Sequence, residues 1–329
     1  MIHADDAMRR RDVLTRLGLL GLGVGGAWWL RDHVLWPRPT LEFGAPGEWL
    51  NFVDPRANVP TVKAVVAGRP VRALIDSGAQ YSVIDRALFE ALNQQSAPSE
   101  KGGLLKTFDM PIVAYGVGGQ PQLGKGSTLD ISVGQTRIPN LRTAILNLGP
   151  LAAEDGLGTP LILGQDILSN ALLDIDVARR RLRLLPPNAD LPANVAPLPV
   201  RRAGRALETM IEVETTPLKA VIDTGASALL ALSESAAQAA GLLDGRPHAP
   251  SSSIVLGGAI ASRVVEAETV TLGDRTYTRV AAAIYADVAL PGFPDALVGM
   301  AAFENRRLVL DMGGGKMWLS RPLDLTVGR

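Results

Sequence analysis

Two short segments of the chain end an apolar, strand-like run on an aspartate and continue with a hydroxyl residue and a glycine. They are residues 73–85, "ALIDSGAQYSVID", and residues 220–232, "AVIDTGASALLAL". A single Asp-Ser/Thr-Gly sequence indicates an ordinary turn. Two copies in equivalent surroundings predict a catalytic pair, Asp76 and Asp223, whose carboxylates face each other and share one proton, because like charges at close range cannot both ionise easily.

A shared proton lets the two aspartates play different parts in adding water to a carbonyl group. The ionised carboxylate takes a proton from the water, while the protonated one donates to the carbonyl oxygen. The protons belong to the pair rather than to either residue. Gly78 and Gly225 permit backbone N–H groups to approach the carboxylates. The hydroxyls of Ser77 and Thr224 are expected to bond to the backbone of the opposite half and hold the pair rigid.

The elements around the two aspartates repeat along the chain. A hairpin pattern precedes each aspartate, "TVKAVVAGRPVRALID" and "LETMIEVETTPLKAVID", and a short helical segment follows each, with Asp85 and Ser233 as N-caps. The repeat predicts an all-β fold of two homologous lobes. We place the first lobe at residues 59–186 and the second at residues 205–329. Residues 187–204 are proline-rich and are expected to form an extended linker.

The repeated motifs resemble those of the retroviral-type aspartic peptidases, fused into a single chain as in pepsin-like enzymes. Each half of that family carries Asp-Ser/Thr-Gly-Ala at the catalytic turn, matched here by residues 76–79 and 223–226. The family also places a hydrophobic-hydrophobic-Gly strand beside the catalytic loop, matched by residues 162–164 and 297–299. The resemblance covers nearly all of residues 59–322.

The resemblance implies a bilobal acid-protease fold with a cleft between two barrel-like lobes, and hydrolysis of a polypeptide substrate without a metal or organic cofactor. It also implies that Gly-rich flaps close over the substrate. The matching flap residues are Gly116, Val117, Gly118 and Gly119 in the first half, and Leu256, Gly257 and Gly258 in the second.

The two halves depart from the family pattern to different degrees. Residues 165–168, "QDIL", continue the first half as the family usually does, whereas residues 300–303, "MAAF", predict a less typical helix in the second. Ala79 and Ala226 stand where pepsins carry a hydroxyl residue. Losing that hydrogen bond should raise the pKa values of the pair and extend activity above the strongly acidic range.

Composition excludes several other classes of function. The 329 residues include 33 basic and 33 acidic side chains, and this zero net charge argues against a nucleic-acid partner. The chain has no cysteine, which excludes disulfides and thiolate metal sites. His3, His33 and His248 lack metal-ligand spacing, and His248 has no evident partners for a serine-hydrolase triad. Three more aspartates, Asp174, Asp176 and Asp311, flank predicted hairpins and are expected to be turn or surface residues.

The N-terminus carries a targeting pattern. Three arginines at residues 9–11 precede the apolar run "LGLLGLGVGGAWWL" at residues 17–30, a sequence typical of export signals and similar to a twin-arginine signal. The run is shorter than the roughly 20 residues of a membrane span. Residues 1–36 are therefore predicted as a signal peptide or an uncleaved membrane anchor, and the protein as exported to the periplasm or tethered facing it. The sequence leaves open whether the extension at residues 37–58 covers the cleft as a propeptide.

A second class of function also stays open. The chain could be a catalytically inactive peptide-binding or scaffold protein that retains the aspartic protease fold. Intact motifs in both halves argue against this alternative, because a pseudoenzyme does not need two carboxylates in a desolvated cleft. A fused double lobe does not need to dimerise to complete its site, so we expect a monomer.

Overall fold

The structure is a computed structural model, and it describes residues 36–44, 47–54, 58–95, 106–115, 121–255, 258–288 and 293–322. The chain divides into a short N-terminal unit, residues 1–38, and a body, residues 39–329, and the fold below is that of the body. The predicted signal or anchor lies outside the described residues except for Trp36. Among the residues that are described, no helix combines the length and apolar character that crossing a bilayer requires.

The described part of the body is mostly β-structure, and its two halves follow the same order of elements. The first half forms β1 (Leu50–Asn51), β2 (Thr61–Val66), β3 (Arg69–Ile75), β4 (Val83–Asp85), α1 (Arg86–Gln95), β5 (Lys106–Tyr115), β6 (Pro121–Val133), β7 (Thr136–Leu146), β8 (Leu161–Leu163), α2 (Gln165–Leu168), β9 (Leu172–Asp176) and β10 (Arg181–Leu185). The second half forms β11 (Val195–Leu198), β12 (Arg201–Ala203), β13 (Ala206–Val213), β14 (Thr216–Ile222), β15 (Leu230–Ser233), α3 (Glu234–Ala239), β16 (His248–Val255), β17 (Gly258–Leu272), β18 (Arg275–Tyr285), β19 (Ala296–Val298), β20 (Arg307–Asp311) and β21 (Lys316–Ser320). Short 3-10 helices occupy Gly149–Leu151 and Met300–Phe303.

Each lobe is built around one barrel-like sheet, and the two sheets share one strand order except for an additional edge strand, β12, in the second. The strand order is β2-β3-β8-β4-β7-β6-β5 in the first lobe and β12-β13-β14-β19-β15-β18-β17-β16 in the second. Additional pairings, β2 with β6 and β13 with β17, curl each sheet toward closure. In both lobes the strand that leads to the aspartate pairs in parallel with a three-residue strand, β8 or β19. The predicted all-β, bilobal fold class is confirmed.

A third sheet joins the two halves. Its order is β1-β10-β9-β20-β21-β11, so the closing hairpin of each half lies at the centre and one extra strand lies at each edge. The segment predicted as a linker, residues 187–204, contains β11 and β12. The first of these pairs with β21 and the second with β13. The connection between the halves is therefore hydrogen-bonded to both the joining sheet and the second lobe.

The described part of the N-terminal extension packs on the first lobe. Glu42 and Arg137 exchange backbone hydrogen bonds of 2.8 and 2.9 Å, and β1 adds an edge strand to β10. Four apolar side chains of the extension pack against the hydrophobic core: Leu41, Phe43, Leu50 and Phe52. These contacts make the extension part of the folded first half.

The local signals in the sequence account for the helix starts near the site. Asp85 ends β4, and its Oδ2 accepts the Ala87 N–H at 2.9 Å, which caps α1. Ser233 ends β15, and its Oγ accepts the Ala236 N–H at 3.1 Å, which caps α3. Both predicted N-caps are confirmed, because a side-chain oxygen before each helix satisfies an N–H of its first turn.

The prediction that Asp174 and Asp176 are turn or surface residues is wrong. Both lie in β9 at the centre of the joining sheet and are buried. Asp174 accepts hydrogen bonds from Arg183 Nε and Arg307 Nε, each at 2.7 Å. Burial is tolerated because neighbouring strands supply the opposite charges. Asp311 ends β20 and accepts the Gly314 N–H at 2.6 Å, as expected for a turn residue.

Candidate active site

The two predicted aspartates directly follow equivalent strands, β3 and β14. We call residues 76–79 the first aspartyl turn and residues 223–226 the second. The Asp76 N–H donates to the Leu163 carbonyl at 3.0 Å, and the Asp223 N–H donates to the Val298 carbonyl at 2.9 Å. The hydrophobic-hydrophobic-Gly segments thus lie beside the turns as expected, and their last strand residues fix where each aspartate emerges from its sheet.

The hydroxyls of Ser77 and Thr224 connect the two turns to each other. Ser77 Oγ donates to the Ile222 carbonyl at 2.8 Å and accepts the Thr224 N–H at 2.9 Å. In the reciprocal arrangement, Thr224 Oγ1 donates to the Ile75 carbonyl at 2.7 Å and accepts the Ser77 N–H at 2.9 Å. Both side chains are fully buried. These four hydrogen bonds satisfy backbone groups that would otherwise be buried without partners, and they fix one turn against the other.

The two glycines create the space in which the carboxylates meet. A Cβ atom on Gly78 would lie 2.7 Å from Cγ of Asp223, and one on Gly225 would lie 2.6 Å from Cγ of Asp76. Carbon atoms do not approach so closely without bonding, so any side chain at either position would displace the opposite aspartate. Each glycine therefore leaves the space that the carboxylate of the other lobe occupies.

The two carboxylates receive unequal numbers of hydrogen bonds. Asp76 Oδ1 accepts the N–H groups of Gly78 at 2.8 Å and Ala79 at 3.0 Å. Asp223 Oδ1 accepts the Gly225 N–H at 2.8 Å, while the Ala226 N–H donates to the backbone carbonyl of Asp223 at 3.3 Å. The surroundings favour the charged form at Asp76 more than at Asp223.

Burial and mutual repulsion shift the titration of the pair. Burial raises the pKa of Asp76 above its ordinary value, and the N–H groups of Ala79 and Gly78 oppose that rise. Burial raises the pKa of Asp223 well above its ordinary value, and the charge of Asp76 raises it further. The pair therefore keeps a shared proton at a higher pH than an isolated carboxyl group would.

A buried polar network under the first turn was missed by the sequence reasoning. Asp166, at the start of α2, accepts the Ser82 N–H at 3.0 Å and the Ser82 O–H at 2.8 Å. Ser82 Oγ in turn accepts the Gly164 N–H at 3.1 Å. Gln165 Nε2 donates to the Ser77 carbonyl at 2.7 Å. The sequence does contain a local signal of this network. The polar pair Gln165-Asp166 follows a fully apolar strand and one glycine, at a position where buried residues are expected.

The second turn has the same backbone contact without this network. Met300 N–H donates to the Ala226 carbonyl at 2.8 Å, just as Gln165 N–H donates to the Ala79 carbonyl at 2.8 Å. The segment Met300–Phe303 is a 3-10 helix, whereas α2 is an α-helix. This difference agrees with the less typical helix that the sequence predicts for the second half.

In the sequence, the predicted flap residues fall between β5 and β6 and between the end of β16 and the start of β17. Six of them lie outside the described residues: Gly116, Val117, Gly118, Gly119, Leu256 and Gly257. Gly258 begins β17 and pairs with Val255. Their role at the cleft stays a prediction.

Comparison with known protein families gives one match in each lobe. The aspartyl protease family matches residues 62–167 and 209–302, which together make up more than half of the chain. The matched ranges include both aspartyl turns, β8 and β19. The chain belongs to the aspartyl protease family.

Proposed function

We propose that the protein is an aspartic endopeptidase that hydrolyses peptide bonds with Asp76 and Asp223. The observation that carries the proposal is the contact between each carboxylate and the glycine of the opposite turn. That contact brings two half-buried carboxyl groups to one point between the lobes. The general acid and base needed to add water to an amide are therefore adjacent.

The two backbone N–H groups that Asp76 Oδ1 accepts favour its charged form, so we assign Asp76 as the base and Asp223 as the acid. Asp76, the ionised partner, removes a proton from a water molecule as that water attacks the carbonyl carbon of the peptide. Asp223 donates its proton to the carbonyl oxygen, so that a neutral tetrahedral diol forms. Asp76 then passes a proton to the amide nitrogen while a diol hydroxyl returns one to Asp223, and the C–N bond breaks. Since each aspartate gains one proton and loses one proton over the two steps, the pair ends as it began.

The substrate that fits this proposal is an extended polypeptide bound in the cleft between the lobes. Such a chain forms backbone hydrogen bonds with strand edges, here those of the two flap hairpins. The rival is a peptide-binding scaffold without activity. Its weakness is the fit between the two turns: a scaffold gains nothing from glycines that leave room for the carboxylate of the opposite turn.

The test is incubation of the purified body, residues 39–329, with a diverse peptide library and mass-spectrometric detection of cuts. Cleavage by the unmodified protein, lost in Asp76→Asn and Asp223→Asn, is expected. Binding of peptides without any cleavage between pH 3 and pH 8 would favour the scaffold. The same assay gives the pH profile. Since burial raises the pKa of both carboxyls, we expect activity to extend above about pH 4, the ordinary carboxylate range.

We also propose that residues 1–36 direct export or tether the protein, and that it acts as a monomer facing the periplasm. The support is the arginine cluster followed by a short apolar run. Fractionation of cells that express the full chain tests this: a chain of full length in the membrane fraction indicates an anchor, and a shortened chain in the periplasm indicates a cleaved signal. Retention in the cytoplasm contradicts both.

A further inference from the structure

Gln165 makes a contact with the first aspartyl turn that has no equivalent at the second turn among the residues that the structure describes. Its side chain is 2% exposed, and its Nε2 donates to the Ser77 carbonyl at 2.7 Å. That carbonyl belongs to the peptide group joining Ser77 to Gly78. The N–H of the same peptide group donates to Asp76 Oδ1 at 2.8 Å. Gln165, one peptide group and Asp76 therefore form a continuous hydrogen-bonded chain.

Hydrogen bonds in such a chain strengthen one another. A donor on the carbonyl oxygen draws electron density through the amide and makes its N–H a stronger donor. The effect is larger away from water, and both Gln165 and Ser77 are buried. A stronger N–H donor stabilises the charged form of the carboxylate that accepts it.

In the second turn the corresponding peptide group joins Thr224 to Gly225, and its N–H donates to Asp223 at 2.8 Å. The residue at the position of Gln165 is Met300, whose backbone makes the same contact as that of Gln165. A thioether has no N–H to donate. Among the described residues, the hydrogen-bonded chain from a buried side chain through a peptide group to the aspartate is therefore found in the first lobe and not in the second.

We propose that Gln165 is a positioning residue that acts through the Ser77–Gly78 peptide group to keep Asp76 the ionised member of the pair. The proposal rests on the proposed function for its catalytic meaning, but the electrostatic effect on Asp76 does not depend on turnover. Removing the donor favours protonation of Asp76, so the pair becomes doubly protonated at a higher pH than before.

Other charged and titratable groups lie near the turns, and we expect them to keep their partners when Gln165 is replaced. Asp166 on α2 stays bound to Ser82. The guanidinium of Arg205 lies 5.0 Å from the ring centroid of Tyr81. Tyr285 in β18 donates to the Pro294 carbonyl at 2.6 Å, and burial together with Asp295, Asp287 and Asp223 raises its pKa. A shift caused by losing Gln165 alone therefore has to come through the Ser77–Gly78 peptide group.

The test compares Gln165→Met, which installs the residue of the second lobe, with two controls. Gln238→Met makes the same change on the exposed side of α3. Asn170→Ala removes a different side-chain amide, whose Nδ2 donates to the Asp166 carbonyl at 2.8 Å. Two readouts are needed: the pH dependence of kcat/KM on a peptide that the unmodified protein cleaves, and NMR titration of isotope-labelled aspartate carboxyl carbons, assigned with Asp76→Asn.

In Gln165→Met, the acid limb of kcat/KM and the Asp76 titration should both move up by about 0.2–0.6 of a pH unit, as expected when neighbouring hydrogen bonds strengthen one another by roughly 10–30%. Both controls should leave them unmoved. A lower melting temperature with unmoved titration would reduce Gln165 to a structural residue and overturn the inference. If Gln165→Met does not fold, Gln165→Asn, one methylene too short to reach the carbonyl, replaces it with the same expectation.

The two readouts separate this inference from the proposed function. A titration shift in a protein that cleaves no peptide supports the role of Gln165 and contradicts peptidase activity. Cleavage by the unmodified protein with no shift in Gln165→Met supports peptidase activity and contradicts the role of Gln165.

Discussion

The two lobes contain the same aspartyl turn, but different residues contact each turn from the interior of its lobe. Under the first turn, Gln165, Asp166 and Ser82 form a buried network of side-chain hydrogen bonds. Under the second, Met300 and Ala301 stand where Gln165 and Asp166 stand in the first, and the backbone of Met300 alone repeats the contact to the turn. The shape of the turn therefore depends on features that both lobes share: the strand that leads to the aspartate, the neighbouring three-residue strand and the glycine.

The network that is present only beneath the first turn can therefore give the two aspartates different chemical surroundings. Asp76 accepts two backbone N–H groups, while Asp223 accepts one and is raised further in pKa by its neighbour's charge. Shared geometry places the carboxylates symmetrically, while their surroundings raise the pKa of each to a different extent. A duplicated fold can thus supply both an acid and a base.

The largest expected effect is loss of the proton relay. Asp76→Asn and Asp223→Asn should each lower kcat/KM by at least about 10²–10⁴-fold, the usual contribution of a positioned acid or base, while the circular dichroism spectrum stays that of a folded protein. Asp190→Asn, on an exposed loop, is the matched control and should keep full activity. Substantial activity in either site variant would contradict a mechanism that needs both carboxylates.

The next effect tests whether the glycines serve the opposite carboxylates equally. Gly78→Ala and Gly225→Ala should each lower kcat/KM by about 10-fold or more and destabilise the protein by about 1–3 kcal/mol, because overpacking forces neighbouring groups to move. Gly241→Ala, at a position with open space but a φ of +70°, should reduce stability without affecting kcat/KM. Normal activity in one of the two site variants would show that the lobes are less alike than their backbones suggest.

The buried network beneath the first aspartyl turn should add to the stability of the protein, and the described part of the second lobe has no equivalent network. Asp166→Ala leaves the N–H and O–H of Ser82 without their acceptor, and we expect a loss of about 2–4 kcal/mol in unfolding free energy, since buried groups left unpaired cost roughly 1–3 kcal/mol each. Asp166→Asn retains one acceptor oxygen and should lose less. Urea denaturation measures both. Equal losses would mean that the carboxylate charge, rather than the hydrogen bonds, is what the network needs.

Stability should respond to pH in the opposite direction from activity. Burial raises the folded-state pKa of both carboxyls, so the pair favours folding below its unfolded pKa of about 3.9, and this contribution is lost as the pH rises through the folded-state values. At pH 7 the ionised pair therefore destabilises the fold. Asp223→Asn should gain on the order of 1 kcal/mol at pH 7, with one pKa unit corresponding to about 1.4 kcal/mol.

That gain should shrink as the pH falls toward the ordinary carboxylate range, because the unmodified pair then takes up protons itself. Melting temperatures of both proteins across this range provide the measurement. A gain that is constant with pH would place its origin in packing rather than in the charge of the pair.

The features that the sequence predicted are those encoded locally or by repetition. The apolar strand before each aspartate, the glycine after it and the duplicated order of strands all follow from short patterns, as do the caps Asp85 and Ser233. The polar network and the buried Asp174 depend on partners far along the chain. Asp174 meets Arg307 only because β9 and β20 pair across the two halves. Alternation in "LLDID" was the local signal of a strand, but no pattern indicated the arginines.

The smallest effect compares the two helix caps. Ser233→Ala removes one acceptor from α3 and should cost about 1 kcal/mol, the usual value of an N-cap. Asp85 does more, because its Oδ2 accepts the Ala87 N–H while its Oδ1 accepts the Leu148 N–H, both at 2.9 Å. Asp85→Ala should therefore cost about 1–3 kcal/mol more than Ser233→Ala, since the Leu148 N–H is left buried without a partner. Glu90→Ala, on the exposed side of α1, controls for loss of a carboxylate from the helix. Equal costs in urea denaturation would show that the bond to Leu148 contributes nothing, and that the first lobe's additional polar contacts stabilise it only beneath the aspartyl turn.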